Sequence, residues 1–445
     1  MRILLVQPPL DPTTSKLSAL GIPEPLGIEY VAAAVPEHET RIVDLRIGGS
    51  LIEEIERFDP EMVATTALTA SVPRALELLK TAKRMDSKMI TVIGGHHPTL
   101  RPLDCQNDAV DVVVRGDGEC PFAELVSRLS SHKSLDAVAG ISYREDGRWR
   151  TNPPAPLCHL DDYSFPARHL TEHARYAYFR VGLGPIVTAI SSRGCTHRCH
   201  FCSIWRFHGG RYRKRSPASV VAELSRTTEK AVDLVDDDSF ADLLHMERLG
   251  ELVASELPGR IFRFLVRSDA VLRAPALFGR WAEIGLKYAL VGLESFRDDE
   301  LRDMNKRATA EQNVKALEIL KDAGIRVIGY LLVRPDYHVD DFARLADAVE
   351  TLGIAQPVFA TMTPFPGTVL YEQMKDRLVT DDWEHFDGFR AVVETALPRS
   401  DYYHNLANLY RRAYSVQPAP TGGEGLPWYE KLARAIEGIE CETPA

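Results

Sequence analysis

Short apolar runs alternate with amphipathic helical stretches over most of this 445-residue chain, and no other feature restricts its fold as tightly. Five strand-like runs fall at residues 2–6, 40–44, 62–66, 89–93 and 110–114. Amphipathic stretches separate them; within 73–85, Ala75, Leu78, Leu79 and Ala82 recur at helical spacing. A second series follows, with strands at 186–190, 233–236, 260–267, 288–292, 326–333 and 357–361. Its helical spacers are 217–230, 245–255, 274–284, 310–323 and 340–351, the first opening on Ser216-Pro217, an N-cap followed by a first-turn proline. Strands joined through helices pair in parallel, because only a crossover returns the chain to the same end of a sheet. The fold class is therefore α/β. The first series predicts a doubly wound, flavodoxin-like domain, and the second a partial (β/α)6 barrel; both place ligands at the C-terminal ends of their strands.

Domain boundaries follow from composition. Residues 1–150 form the first domain and 151–184 a linker, where Asn152-Pro153-Pro154-Ala155-Pro156 is proline-dense without periodicity. Residues 185–370 form the barrel and 371–445 a helical region. Helices through Tyr414 are expected to cover the barrel mouth, with a flexible connector at 418–425 and a terminal helix at 428–438.

The formal charge of −10 argues against nucleic acid as a partner. Of seven cysteines, three share one short loop, and the scattered Cys105, Cys120, Cys158 and Cys441 read as free thiols in a reducing compartment. The chain opens on a strand rather than a signal sequence, and no run approaches the ~18 apolar residues of a membrane span. These features predict a cytoplasmic enzyme without a transmembrane segment and leave a peripheral membrane contact open.

The chemistry is concentrated in Ser192-Arg193-Gly194-Cys195-Thr196-His197-Arg198-Cys199-His200-Phe201-Cys202. The CxxxCxxC spacing offers three thiolates, Cys195, Cys199 and Cys202. A [4Fe-4S] cube takes four ligands, so one iron is left open to another molecule. The alternative is zinc, with His197, His200 or His208 as fourth ligand. Strand ends of the second series carry Asp236-Asp237-Asp238, Arg267, Glu294-Ser295 and Pro364. Plainer roles are open to them: an acidic turn capping the next helix, and an Arg267–Asp269 ion pair. Strand ends of the first series carry Gln7, Pro8, Thr66, Leu68, Thr69, Gly94, Gly95, His96, Thr99, Gly116 and Glu119. Glycines there let backbone approach a large ligand, and threonine hydroxyls can hold its polar edge. For His96 and His97 the plainer role is a loop imidazole bonded to backbone. The basic stretch 206–215 reads as a solvated face or a patch for an acidic electron-donor protein.

The cysteine loop, with its preceding apolar strand and internal Phe201, resembles the radical S-adenosylmethionine (SAM) superfamily. The Gly94-Gly95-His96-His97-Pro98-Thr99 loop, Pro8-Pro9 and Pro25-Leu26-Gly27-Ile28-Glu29-Tyr30 resemble the cobalamin-dependent members, as does Thr363-Pro364-Phe365-Pro366-Gly367-Thr368. The resemblance implies a cobalamin-binding first domain and three cofactors: a [4Fe-4S] cluster on Cys195, Cys199 and Cys202, SAM, and cobalamin. It implies SAM contacts from Phe201, Asp237, Arg267, Glu294, Ser295 and Pro364, and cobalamin contacts from the first-series residues named above. The histidine of the usual DxHxxG cobalt-ligand motif is missing, at Asp44-Leu45-Arg46-Ile47-Gly48 as elsewhere, so Leu68 or Thr69 is expected to face cobalt. The implied reaction is C-methylation: a 5′-deoxyadenosyl radical abstracts hydrogen from an unactivated carbon, and methylcobalamin supplies the methyl group. No catalytic side chain beyond the cofactors is implied. Stretches 211–217, 291–294 and 334–337 are similar to bacterial hopanoid C-3 methylases, which suggests a small apolar, lipid-like or natural-product substrate. A flavodoxin- or ferredoxin-type electron donor is implied as well. A cobalamin-dependent cyclase or rearrangement enzyme that does not methylate, and a non-catalytic cobalamin or metal sensor, are the alternatives.

Overall fold

The computed structural model describes residues 1–11, 21–180, 182–415 and 427–439; Cys441 and the expected connector at 418–425 lie outside them. The chain divides into two compact units. The first unit comprises 1–11, 22–178 and 382–384. Its sheet contains β1 (Arg2–Gln7), β2 (Glu39–Asp44), β3 (Met62–Thr66), β4 (Ile90–Gly94), β5 (Val112–Val114), β6 (Ile141–Glu145) and β7 (Arg148–Thr151), in the order β2-β1-β3-β4-β5-β6-β7. The first five strands are parallel, as expected. Successive side chains point to opposite faces. Ile3, Leu5, Val92 and Val112 therefore meet Ile28, Phe122 and Leu125, while Leu4, Val6, Val63, Ile93 and Val113 meet Ile55, Ala75 and Leu79. The antiparallel hairpin β6–β7 is an addition. Its signal is Asp146-Gly147, both at positive φ (50° and 75°), as a two-residue hairpin turn requires.

The segment expected as a linker is built into the first unit as far as Tyr178. Ala167 belongs to the core, and its N–H donates to the Glu29 carbonyl at 3.0 Å. Cys120 and Cys158 are not scattered: their sulfurs lie 2.7 Å apart. Elsewhere in this unit, Glu24 and Glu29 form a buried acidic pair. Glu24 is paired with Arg168 and Arg175, while Glu29 accepts from the Thr171 hydroxyl.

The second unit contains β8 (Phe179–Arg180), β9 (Gly184–Ala189), β12 (Ala231–Leu234), β13 (Ile261–Val266), β14 (Leu286–Glu294), β15 (Arg326–Val333) and β16 (Gln356–Thr361) in one sheet, ordered β16-β15-β14-β13-β12-β9-β8. β10 (Ser192–Arg193) and β11 (Arg213–Lys214) form a separate short pair. The six strands from β9 to β16 run parallel, and the two-residue β8 closes one edge antiparallel. This is the curled partial barrel. The first spacer helix is shorter than expected, Pro217–Leu224, because the Arg260 guanidinium takes up the Leu224 carbonyl at 3.0 Å.

The long C-terminal helix Arg399–Ser415 begins near the C-terminal ends of β15 and β16, where the Tyr402 hydroxyl lies 3.4 Å from the Val333 carbonyl. It lies along the edge strand β16, whose outer backbone groups would otherwise be unpaired. Tyr410 accepts from the Phe359 N–H at 3.0 Å and donates to its carbonyl at 2.7 Å; Tyr414 donates to the Pro357 carbonyl at 2.8 Å. Helix Trp428–Gly438 packs on it in turn, held by Arg411 to Glu430 and Glu437.

Burial, then the neighbouring Glu24, pushes the Glu29 carboxyl up to about 8. Between about 4.5 and 8 the folded state therefore holds a proton that the unfolded chain has released, so stability falls as pH rises through that window. Denaturant unfolding of the first unit is expected to lose a few kcal/mol between pH 5 and pH 8.5, on the order of the pKa shift at ~1.4 kcal/mol per unit. Glu29→Gln is expected to flatten that slope, and an unchanged slope would refute the assignment.

Candidate active site

The cysteine loop follows β9 and is fastened from several directions. Asp236 receives the N–H groups of Ser191 and Ser192, at 2.7 and 2.9 Å, and the Ser191 hydroxyl. Asp237 receives the Gly194 N–H at 2.7 Å and stands 3.5 Å from His208 Nε2. Gly194 has φ 93°, and a Cβ there would run into Arg211 backbone, so the turn into Cys195 admits only glycine. The far side of the loop rests on residues 303–305. The His200 N–H donates to the Met304 carbonyl and its Nδ1 lies 2.9 Å from the Asp303 carbonyl, while Asn305 Nδ2 donates to the Arg198 carbonyl at 2.8 Å.

The acidic run thus divides its work. Asp236 and Asp237 are structural ties, and helix capping falls to Asp242, which accepts from the His245 N–H. Asp238 has a different role. It is buried, and its Oδ1 has no hydrogen-bond partner. Its charge is felt by Cys195, and burial, offset by Arg267, raises its carboxyl to about 6. A buried carboxylate oxygen left unpaired is costly unless a ligand completes it.

Arg267 is the centre of a charge network. Its guanidinium donates to Asp269 Oδ1 at 2.8 Å and to the Lys306 carbonyl at 2.8 Å, and Nη1 stands 3.9 Å from Cys199 Sγ. The Asp269 ion pair therefore coexists with contact to the cysteine loop. Lys306 pairs with Glu294 at 2.7 Å, with both side chains buried. Glu294 occupies the left-handed region, φ 63°, where β14 loses register with β15. Gly292 makes room for it: a Cβ there would stand 2.6 Å from Glu294 Oε1 and 2.9 Å from Lys306 Nζ. Ser295 is committed elsewhere, donating to Glu300 and accepting from the Arg297 N–H. Phe201 packs with Met304, Met362 and Leu370, and Pro364 lies buried in a turn that Thr368 closes onto the Phe365 carbonyl.

The histidines considered for zinc have other partners or surroundings. His200 and His208 are engaged as described, and burial followed by the Arg267 charge lowers His197 to about 4. Among the described residues, no three His, Cys, Asp or Glu side chains converge on one ion position. The thiols of Cys195 and Cys202 are raised by burial, to about 11 and about 12. The basic stretch is split: Arg206 and Arg211 are exposed, whereas Arg215 is buried on Glu223, which corrects its reading as one solvated face.

In the first unit the loops beyond β3, β4 and β5 are locked together. Thr99 donates to the Gly95 carbonyl at 2.7 Å and accepts from the Gly116 N–H at 2.9 Å. Gly95, at φ 102°, packs so closely on the β3 loop that a Cβ would stand 2.9 Å from Ala67 N. Gln7, Thr66, Gly94, His96 and Gly116 are half-buried at these strand ends, with Pro8 and Glu119 buried. His97 is the buried histidine, bridging Thr69 Oγ1 and Asp104 Oδ2, each at 3.2 Å, under the edge of Trp383. Thr69 is thereby occupied, whereas Leu68 is 68% exposed. Arg46, at the position of the missing motif histidine, is closed onto Asp44 and the Pro23 carbonyl.

The B12 binding domain family matches residues 14–126, and the Radical SAM superfamily matches residues 189–349. Hopanoid C-3 methylase from Methylococcus capsulatus is 31% identical over 401 residues, covering 88% of this chain and 76% of that protein. The chain belongs to the cobalamin-dependent radical SAM methyltransferase family. Anaerobic magnesium-protoporphyrin IX monomethyl ester cyclase from Cereibacter sphaeroides is a more distant relative, 27% identical, with 82% of this chain and 61% of the cyclase covered. The radical SAM methyltransferase TsrM from Kitasatospora setae, solved with tryptophan and a SAM analogue, has the same fold: TM-score 0.73 at 16% identity, covering 98% and 95% of the two chains.

The family's cofactors are a [4Fe-4S] cluster, SAM and cobalamin, and the residues present fit them. Three thiols stand on one anchored loop beside a cation, the buried Asp238 next to them has one oxygen without a partner, and glycines clear the strand ends of the first unit. Sequence reasoning missed Asp238, Lys306 and Trp383. Asp238 stood inside the acidic run already singled out, and Lys306 and Trp383 carried no local signal.

Asp237→Ala removes the acceptor of the Gly194 N–H, a loss of about 1–3 kcal/mol of loop anchoring. A chelator is expected to strip iron from this variant several-fold faster than from the unmodified enzyme. Equal stripping rates would exclude a tie through Asp237.

Proposed function

We propose that this enzyme methylates an unactivated carbon of a small apolar molecule, and that Cys195, Cys199 and Cys202 hold its cluster. The observation that carries the reading is the buried Asp238 carboxyl, whose Oδ1 has no hydrogen-bond partner, near Arg267 and the three-thiol loop. Three thiolates leave one cluster position without a protein ligand, and a zwitterionic amino-acid end placed there needs one anion and one cation. Asp238 supplies the first and Arg267 the second. The SAM role expected of Asp237 passes to Asp238, because Asp237 already holds Gly194. Phe201, Glu294 and Pro364 then line the remainder of the SAM site. When bound, the three cofactors supply an electron, hydrogen abstraction and a methyl group. The chain's own residues bind, orient and exclude water; hydrogen abstraction calls on no side-chain base.

In the first unit, Gln7, Pro8, Thr66, Gly94, Gly95, His96, Thr99, Gly116 and Glu119 form the cobalamin bed in this reading. Leu68 is the residue turned to the lower face of the cofactor. His97 is excluded as a cobalt ligand because both ring nitrogens are engaged.

The apolar substrate is supported by the hopanoid methylase relative and by the apolar wall of Phe201, Met304, Met362 and Leu370. An acidic flavodoxin- or ferredoxin-type donor suits the exposed Arg198, Arg206 and Arg211 beside the cysteine loop. No described helix is long and apolar enough to cross a membrane, and a cytoplasmic setting is part of the proposal. The cyclase relative favours a second reading, radical chemistry without methyl transfer.

Anaerobic incubation of the reconstituted enzyme with SAM, cobalamin, reductant and lipid or natural-product acceptors separates the two. Methylation is expected to yield 5′-deoxyadenosine and S-adenosylhomocysteine in about equal amounts with a product heavier by about 14 Da. Deoxyadenosine without S-adenosylhomocysteine would favour the cyclase reading. Asp238→Asn is expected to weaken SAM binding by about 10- to 100-fold, the cost of 1.4–3 kcal/mol from an unbalanced charge, with the visible spectrum of the cluster unchanged.

A further inference from the structure

The proline-dense stretch after β7 is poorly equipped to hold its place by backbone pairing, because Pro153, Pro154 and Pro156 lack amide donors. It nevertheless lies along the loop beyond β5. At one end, Gly140 N–H donates to the Pro153 carbonyl at 2.7 Å, and Arg115 donates to the carbonyls of Asn152 and Ile141 at 2.5 and 2.9 Å. At the other, the Tyr163 hydroxyl reaches Asp117 at 3.3 Å. Midway between these ties stand Cys158, half-buried, and its partner Cys120, exposed in the first turn of helix Glu119–Ser130. Their sulfurs are 2.7 Å apart across 38 residues of sequence. Neither cysteine belongs to the cluster loop.

We propose that Cys120 and Cys158 are a reversible thiol–disulfide site that staples the proline-dense stretch to the loop beyond β5. In the closing step two S–H bonds break and one S–S bond forms. The S–S bond of a low-molecular-weight disulfide breaks at the same time, and the two electrons and two protons end on its halves, which leave as two thiols. A reducing compartment keeps the pair open; exposure to an oxidised thiol pool closes it. The staple constrains the unfolded chain through the loop it closes, and its partner segment gains an anchor that prolines cannot provide.

Cys120 is exposed as a residue, but partial desolvation of its thiol against Cys158, then Cys158 itself and the carboxylates of Glu119 and Asp117, push it up to about 12. Because the thiolate is the attacking species, closure is expected to quicken as pH rises.

The test is anaerobic treatment of the full-length holoenzyme with oxidised glutathione at pH 8.5, followed by denaturing alkylation and peptide mapping. The expected result is a cross-linked pair of peptides containing Cys120 and Cys158, lighter by about 2 Da than the two reduced peptides together, and restored to alkylatable thiols by dithiothreitol. Cys120→Ser should instead leave Cys158 carrying a stable mixed disulfide with glutathione. Glutathione on both cysteines of the unmodified enzyme, or full alkylation of both after oxidation, would overturn the proposal. The cluster cysteines map to a separate peptide and serve as an internal control.

Discussion

Strand register sets Asp236 level with the start of the cysteine loop. Leu234 pairs with Ala189 across β12 and β9, so Asp236 and Ser191 each stand two residues beyond a matched position. The carboxylate then takes two amides and a hydroxyl from Ser191 and Ser192. A loop that carries three thiols and, apart from Phe201, little apolar surface cannot be shaped by hydrophobic collapse alone. Its shape has to come from fixed acceptors on rigid neighbours, and parallel strand ends provide them. Asp237 continues the same scheme one residue later, and Asp238, next in line, is the first of the three left with an unpaired oxygen.

The opposite wall depends on a left-handed glutamate. Holding a non-glycine residue at φ 63° costs about 1–2 kcal/mol, and Glu294 does so to meet Lys306 in the interior. Burying such a pair is favourable only where further hydrogen bonds complete it. The backbone of the same lysine is tied as well: its carbonyl accepts from Arg267, whose guanidinium also faces Cys199. The ion pair, the arginine and the cysteine loop are therefore one connected unit, and displacing any member disturbs the others.

The layout of both parallel sheets was legible in the sequence because strand and helix periodicities alternate along it without interruption. Predicted strands fall within one or two residues of β1 to β5 and within two of the six barrel strands. The hairpin at Asp146-Gly147 lies outside that alternation and carries its signal in the turn dipeptide alone. What stayed hidden depends on contacts between distant residues. Nothing near residue 383 marks a tryptophan destined for His97, and nothing near 410 marks a tyrosine destined for Phe359. The three aspartates show the limit most clearly: position in a motif located them, and only geometry could divide them into two ties and one unpaired acceptor.

The tyrosine-bearing helix has a consequence for synthesis of the chain. Among the described residues β16 is the last strand made, it is the outermost in its sheet, and its carbonyls at Pro357 and Phe359 are satisfied by hydroxyls that lie about fifty residues further on. During translation the barrel sheet is therefore complete while its rim is still open to pairing with another nascent chain. Emergence of Tyr410 and Tyr414 ends that interval, and in this sense the C-terminal helix acts as the protein's own chaperone.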